Sequence, residues 1–359
     1  MSASIFDQLS AFDHEQIVFC RDDAFGLRAI VAIHDTTLGP ALGGARLYDY
    51  ASESDAIRDV LRLSRGMTYK AAVAGLDLGG GKAVIIGDPA NKSEAMFRAF
   101  GRFVESLGGR YVTAEDMNTT VEDMDYIRRE TRYVTGAGSA GGGSGDPSPV
   151  TAWGVFHGIR ACLEVVYGSP DVAGRAVAIQ GVGNVGYYLA KYLHEAGAAL
   201  YYADISQRRI TRAMEQFGGA VLEGDEFYRA NVDVLAPCAI GGIIDARTIP
   251  LVRAPIIAGG ANNQLDDERR DGEALAERGI TYAPDYVVNA GGLINVSAEL
   301  GGLGRDKAMV DAANIFNTTK RVINKAKSEG TTTVRAANRV AEERIEMAAR
   351  LRRTWVKAR

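Results

Sequence analysis

The chain has 359 residues, of which 47% are hydrophobic and 24% charged, with a formal net charge of −4. This is about twice the length of a typical domain, so two domains with ample core are expected, and a mildly acidic chain with no basic run through its body argues against nucleic acid as a partner. Three distant cysteines (Cys20, Cys162, Cys238) and four scattered histidines (His14, His34, His157, His194) support neither a disulfide framework nor a metal site.

The first thirteen residues carry Asp7 and Asp13 and no basic leader. No stretch reaches the ~18 apolar residues of a membrane span, so a cytoplasmic protein without a membrane partner is expected. The apolar runs at 27–33 and 83–86 predict strands. Between them Ala56, Val60, Leu63 and Met67 recur at helical spacing behind a candidate N-cap, Ser52. Phe97, Phe100 and Val104 predict a second helix. The Gly, Ser and Pro-rich stretch 135–149 marks a connection near a hinge. Beyond it the pattern alternates: strands at 176–180, 200–203, 232–235, 256–258 and 280–282, with helices at 185–196 and from Ser206 to Phe217. That alternation predicts a parallel sheet with helices on both faces. From Ala308 onward helices are expected, with Ile323, Val334, Val340 and Ile345 inward. The basic end (Arg350, Arg352, Arg353, Lys357, Arg359), following Glu342, Glu343 and Glu346, reads as a solvated helix terminus.

Glycine is abundant, at 42 residues, and clustered: Gly43-Gly44, Gly79 to Gly81, Gly141 to Gly143, Gly181/Gly183/Gly186, Gly241-Gly242, Gly259-Gly260 and Gly291-Gly292. Such clusters occur where backbone turns sharply or approaches a ligand closely. Gly181-Val182-Gly183-Asn184-Val185-Gly186 follows a predicted strand and opens a predicted helix, the context a dinucleotide fingerprint requires. The helix N-terminus offers amide donors to a pyrophosphate. Asp204, 18 residues beyond Gly186 at a strand end, suits the ribose hydroxyls and repels a 2′-phosphate, which favours NAD over NADP. An ATP site at Gly79-Gly80-Gly81-Lys82 fails, because Leu76 and Ala83 stand where a P-loop needs glycine and Ser or Thr.

Two lysines, Lys70 and Lys82, lie in apolar or glycine-rich surroundings. A desolvated lysine loses proton affinity, as a general base near neutral pH must. Asp116 is a third candidate, whose plainer role is a helix cap.

The stretches HDTTLGPALGGARL, RLSRGMTYK, LGGGKAVIIGDP, RYVTAEDMNTTVEDMD, DPSPVTAWG, QGVGNVG, APCAIGG, AGGANNQL and APDYVVNAGGLINV resemble the Glu/Leu/Phe/Val dehydrogenase family from about Phe12 to about Arg353, and come nearest to its leucine-acting branch. The resemblance implies an α/β chain of two domains with a cleft between them. Residues 1–146, with C-terminal helices 329–359 returning, form a catalytic, substrate-binding and oligomerisation domain; residues 147–328 form a Rossmann-type NAD-binding domain. It implies that Lys70, Gly43 and Gly44 hold the substrate carboxylate, that Lys82 activates water, and that Asp116 exchanges protons with the amino group. Thr151, Tyr187, Cys238, Ala239 and Asn262 join the glycine motif and Asp204 around NAD. Leu42, Ala114, Leu293 and Val296 line the side-chain pocket. The implied partners are an amino acid or 2-oxo acid, ammonia, and further copies of the chain.

That pocket is apolar and offers no cation, so a glutamate γ-carboxylate would be buried unpaired at a cost of several kcal/mol. A branched-chain substrate such as leucine is expected. Leu293 in place of a common valine and Asn118 in place of a glycine resemble the phenylalanine-acting members, which keeps an aromatic substrate as the alternative; Gly260 in place of an alanine is a third departure. A non-catalytic NAD-binding sensor would lack the lysines or Asp116, all of which are present. A 2-hydroxy-acid dehydrogenase needs a catalytic histidine that no motif here supplies.

Overall fold

The computed structural model describes residues 4–138 and 145–351. Gly141, Gly142 and Gly143, with part of the proposed hinge segment, and the basic residues Arg352, Arg353, Lys357 and Arg359 lie outside the described residues. The chain divides into two compact units. One comprises Met1–Asp146, Glu299–Gly302 and the chain from Ala341; the other comprises Pro147–Ala298 and Leu303–Val340. Among the described residues no helix is long and apolar enough to cross a membrane.

The first unit runs α1 (Ile5–Phe12), β1 (Gln16–Asp22), β2 (Leu27–Asp35), β3 (Ala41–Tyr48), α2 (Glu53–Val73), β4 (Gly79–Ile86), α3 (Glu94–Ser106), β5 (Tyr111–Glu115) and α4 (Val121–Arg128). Its sheet has the order β1-β2-β4-β3-β5, with β3 parallel to β4 and β5, and β2 antiparallel to β1 and β4. Both faces of the sheet are covered, which is why β2 reads as a continuous apolar run and not an alternation. Ile30, Ala32 and Val84 pack with Ala56, Ile57, Val60 and Leu61 of α2. Val31, Ile33, Ala45, Leu47, Ala83 and Ile85 pack with Phe97, Phe100 and Val104 of α3 and with Met124 and Ile127 of α4. Ser52 caps α2, its hydroxyl accepting from the Asp55 amide.

Strand β4 begins at Gly79, four residues before the predicted run, and β1, β3 and β5 fall outside every predicted strand. The core of β3 (Ala41-Leu42-Gly43-Gly44-Ala45) has no β-branched or aromatic residue, so its propensity is that of a loop; burial between two neighbouring strands makes it a strand.

The second unit runs α5 (Ser148–Tyr167), β6 (Ala176–Gln180), α6 (Asn184–Glu195), β7 (Ala199–Ala203), α7 (Gln207–Phe217), β8 (Ala220–Val221), α8 (Glu226–Arg229), β9 (Val234–Pro237), β10 (Ile256–Ile257), α9 (Glu268–Glu277), β11 (Thr281–Tyr282), α10 (Asp285–Val288), α11 (Gly291–Leu300), α12 (Arg305–Ala313), α13 (Ile315–Glu329) and α14 (Thr333–Leu351). The six-stranded sheet is wholly parallel in the order β11-β10-β9-β6-β7-β8. Counted from β6 as the first strand, this is the doubly wound 3-2-1-4-5-6 arrangement, whose switch point lies between β6 and β9.

The sequence reading returns residues 329–359 to the first unit, whereas the division falls at Ala341, inside α14. Val334 packs in the core of the second unit, and Asn338 accepts a 2.7 Å hydrogen bond from the Tyr286 hydroxyl, which ties the start of α14 there. Ile323, Val334 and Val340 are buried, and Ile345 is half-buried. Ser206 precedes α7, but its side chain makes no cap bond.

Candidate active site

Alternation along the strands of the first unit places the candidate residues. Ala83 and Ile85 of β4, and Ala45 and Leu47 of β3, face α3. With a period of two, Lys82, Leu42, Gly44 and Arg46 therefore share the α2 side of the sheet. Tyr111 of β5 faces α3, which puts Ala114 and, just past the strand end, Asp116 on the α2 side.

Lys82 is 5% exposed, and its Nζ lies 3.0 Å from Asp116 Oδ1. Asp116 Oδ2 accepts from Arg46 Nε at 2.8 Å, and Arg46 Nη1 bonds Asp59 Oδ2 at 2.9 Å. Asp59 in turn accepts from the Tyr50 hydroxyl at 2.7 Å and from Arg62 at 3.1 Å. Burial lowers the pKa of Lys82; the Asp116 carboxylate pulls it back up and Arg46 pushes it down, leaving it below the ordinary lysine value. For Asp116, burial acts upward, but Lys82 and Arg46 together outweigh it and hold the carboxyl below its ordinary value. The pair is thus an ion pair whose lysine is biased toward giving up its proton.

The turn carrying Asp116 is clamped onto β3. The Asp116 amide donates to Thr119 Oγ1 at 2.9 Å, Thr119 Oγ1 donates to the Ala45 carbonyl at 3.0 Å, and Leu47 N donates to the Met117 carbonyl at 3.1 Å. Asn118 takes φ +62°, and its Nδ2 donates to the Leu47 carbonyl at 3.0 Å. Asparagine tolerates this left-handed conformation better than most other side chains do, so it can stand where a glycine would otherwise be expected.

A β-carbon on Gly80 would stand 2.1 Å from Thr68 N and Oγ1, so the glycine triplet before Lys82 lets β4 lie against α2. A β-carbon on Gly43 would stand 1.7 Å from the Gly81 carbonyl oxygen. Tyr111 donates its hydroxyl to the Gly43 carbonyl at 2.5 Å. Lys70 is half-buried in the last turn of α2, two residues beyond Thr68. Leu42 is buried and Ala114 half-buried in this unit, whereas Leu293 (buried) and Val296 (half-buried) belong to α11 in the second unit.

In the second unit the glycine motif forms a cradle. Gly181 takes φ +88°, and a β-carbon there would collide with Ala239. A β-carbon on Gly186 would meet the Gly181 carbonyl oxygen at 1.9 Å, so α6 packs directly onto the turn. Gly183 faces open space, and as N-cap of α6 it supplies no side-chain acceptor, which leaves the first amides of the helix, at Asn184, Val185 and beyond, to an outside anion. Asp204 closes the cradle: Oδ2 accepts from Val182 N at 2.7 Å and Oδ1 from Ser206 N at 2.8 Å. These residues fit a dinucleotide pyrophosphate and ribose. Tyr187, on α6, lies under the Arg212 guanidinium at 3.9 Å from the ring centroid. Cys238 follows β9, its thiol pushed up to about 12 by burial and accepting from Gly260 N at 3.3 Å. Asn262 is held by Asn289 Nδ2 at 2.7 Å, and Thr151 sits in the first turn of α5 with its hydroxyl on the Pro147 carbonyl at 3.1 Å.

The sequence reading missed Arg46, Asp59 and Thr119. A signal for the first existed: a charged residue whose strand neighbours, Ala45 and Leu47, are both core.

A doubly wound nucleotide unit in one chain with a unit bearing a buried lysine paired to a half-buried aspartate is the make-up of an amino-acid dehydrogenase. The chain belongs to the Glu/Leu/Phe/Val dehydrogenase family. It matches the Glu/Leu/Phe/Val dehydrogenase, dimerisation domain, over residues 14–133 and the Glutamate/Leucine/Phenylalanine/Valine dehydrogenase domain over residues 142–207 and 200–353. It is 52% identical to a leucine dehydrogenase of Bacillus cereus over 99% of this chain and 98% of that one. It is 49% identical to a phenylalanine dehydrogenase of Lysinibacillus sphaericus, over 93% and 89%. Among solved structures, L-tryptophan dehydrogenase from Nostoc punctiforme superposes with a TM-score of 0.88 at 46% identity, covering 97% of this chain and 100% of that one. The reaction class is oxidative deamination of an amino acid.

Proposed function

We propose that the protein oxidises a branched-chain aliphatic L-amino acid, leucine foremost, in the reaction L-amino acid + H2O + NAD+ → 2-oxo acid + NH4+ + NADH + H+. The observation that carries the chemistry is the pairing of buried Lys82 with half-buried Asp116 at 3.0 Å. Lys82, whose pKa burial lowers, takes a proton from water as it adds to the iminium carbon, and its charged form stabilises the developing oxyanion. Asp116 receives and returns the protons of the departing amino group. Lys70 and the backbone at Gly43 and Gly44 hold the substrate carboxylate. Bound in the glycine cradle, NAD+ supplies the hydride acceptor. Gly181, Val182, Gly183, Asn184, Val185, Gly186 and Tyr187 hold its diphosphate, Asp204 its adenosine ribose, and Thr151, Cys238, Ala239 and Asn262 its remainder. The fixed carboxylate of Asp204 favours NAD over a cofactor with a 2′-phosphate.

The pocket residues Leu42, Ala114, Leu293 and Val296 are all apolar, which suits an aliphatic side chain and leaves a second carboxylate without a partner. An aromatic substrate is the second reading. It is favoured by Leu293, by Asn118 and by the relatives named for phenylalanine and tryptophan. Its family model for residues 14–133 is described as a dimerisation domain, and a homo-oligomer is proposed on that basis. NADH formation measured with leucine, valine, isoleucine, phenylalanine and tryptophan tests the assignment. A kcat/KM for leucine above that for phenylalanine is expected, and the reverse order replaces the first reading by the second.

A further inference from the structure

Arg46 and Asp59 have no part in the reaction scheme above, yet they stand directly behind it. The Asp116 carboxylate is gripped at both oxygens, Oδ1 by Lys82 at 3.0 Å and Oδ2 by Arg46 Nε at 2.8 Å. A single ion pair leaves a carboxylate free to turn about its Cβ–Cγ bond; two donors on two oxygens fix its plane. Arg46 cannot follow Asp116 if it swings, because Nη1 of the same planar guanidinium is held by Asp59 at 2.9 Å. Asp59 is itself anchored on α2, with Tyr50 and Arg62 as further donors. The backbone around Arg46 is pinned as well, since Ala45 and Leu47 on either side carry the hydrogen bonds to the 116–119 turn.

The charges are matched. Lys82, Arg46, Asp116 and Asp59 are two cations and two anions, with side-chain exposures of 7%, 18%, 24% and 17%. Without Asp59 the half-buried group would carry an excess positive charge beside a lysine that has to gain and lose a proton.

We infer that Arg46, braced by Asp59, is a positioning residue for the deamination: it holds the plane of the Asp116 carboxylate so that one oxygen serves Lys82 while the exposed edge meets the substrate amine. Asp59 acts chiefly through Arg46, its own charge being the smaller influence on Lys82. The inference rests on the proposed roles of Lys82 and Asp116.

The test is a double-mutant cycle in kcat on the full-length protein, with leucine or whichever of the five amino acids the native chain oxidises fastest as substrate. Arg46→Met should lower kcat by roughly 100-fold, the scale of a misplaced proton-transfer group, with KM changing far less. Asp59→Asn, which removes a charge and almost no volume, should give a smaller loss of the same kind. The double variant should be no slower than Arg46→Met alone, because a brace has no effect once the braced group is gone. If Arg46→Met does not yield folded protein, Arg46→Lys takes its place in the cycle; lysine keeps the charge but cannot span both carboxylates, and the same loss is expected. Wild-type kcat in the Arg46 variant, or losses that multiply in the double variant, overturns the inference. A native chain that deaminates none of the five amino acids would instead overturn the underlying functional reading.

Discussion

Gly44 and Asp116 are packed so closely that a β-carbon on Gly44 would stand 2.9 Å from the β-carbon of Asp116 and 2.2 Å from the Glu115 carbonyl oxygen. Strand β3 therefore serves as the gauge that sets the height of the Asp116 carboxylate. Gly44→Ala should displace the end of β5, and kcat should fall by about 100-fold or more, the usual penalty for moving a catalytic group by an ångström. Steady-state kinetics beside a thermal melt checks this. A variant with native kcat would mean that the Asp116 turn moves independently of the strand.

Lys82→Ala should abolish turnover while NAD binding, followed by ligand fluorescence or calorimetry, stays close to native. The lysine lies in the first unit and the glycine cradle in the second. Native-like kcat in this variant would contradict the chemical role given to Lys82, whereas loss of cofactor binding along with activity would mark general unfolding.

Asp204→Ala should raise KM for NAD more than KM for NADP, because the role proposed for this carboxylate is to hold the ribose hydroxyls and repel a 2′-phosphate. It should also cost stability. The Val182 and Ser206 amides both lose their acceptor, and an unpaired buried donor costs about 1–3 kcal/mol. Equal losses for both cofactors would show that Asp204 supports the turn without reading the ribose.

A pH dependence of stability is built into the first unit. The rings of His14 and His34 meet edge to face at 4.8 Å, with His34 also bonded to Thr68 and the Phe12 carbonyl. Burial, first of all, lowers each pKa from 6.5 to about 4; His14 is also disfavoured by His34, and His34 by Arg65. The unfolded chain binds protons below pH 6.5 that the folded chain refuses until about pH 4. Stability is therefore complete above the unfolded value and drains away as the pH falls through that window. The Tm should drop between pH 6.5 and 4, and His34→Gln should flatten the drop relative to its own neutral-pH Tm. An unchanged slope in that variant would exclude this pair as its source.

Five of the six strands of the nucleotide half were legible as short apolar runs within a strand–helix alternation, which predicts their parallel order; β8, two exposed residues (Ala220–Val221), gave no such signal. The catalytic half was legible only in part: β2, the end of β4, α2 with its Ser52 cap and α3 were expected, whereas β1, β3 and β5 were not. Its central strands β3 and β4 are built from glycine and alanine at the point where they interlock, so their local sequence carries a loop signature, and only neighbours far along the chain make them strands. The same divide holds for the site. Lys82 was visible from its apolar surroundings, but its 3.0 Å partner Asp116 lies 34 residues away and looks locally like a helix cap. Asp59 sits beside Val60 on an ordinary amphipathic helix, and nothing near it in sequence announces the guanidinium it holds. Long-range pairings of this kind are set by sheet register, which a single sequence does not display.

The glycine interlock also bears on how such an enzyme can be re-tailored. Where Gly43, Gly44 and Gly80 meet their neighbours there is no volume to bargain with, and any library built at those positions will return the parent residue or inactive protein. If Leu42 and Ala114 line the substrate pocket, they stand on paired strands interlocked by main chain, and only their side chains were open to change there. Relatives named for leucine, phenylalanine and tryptophan can then share one catalytic frame and differ in the upholstery.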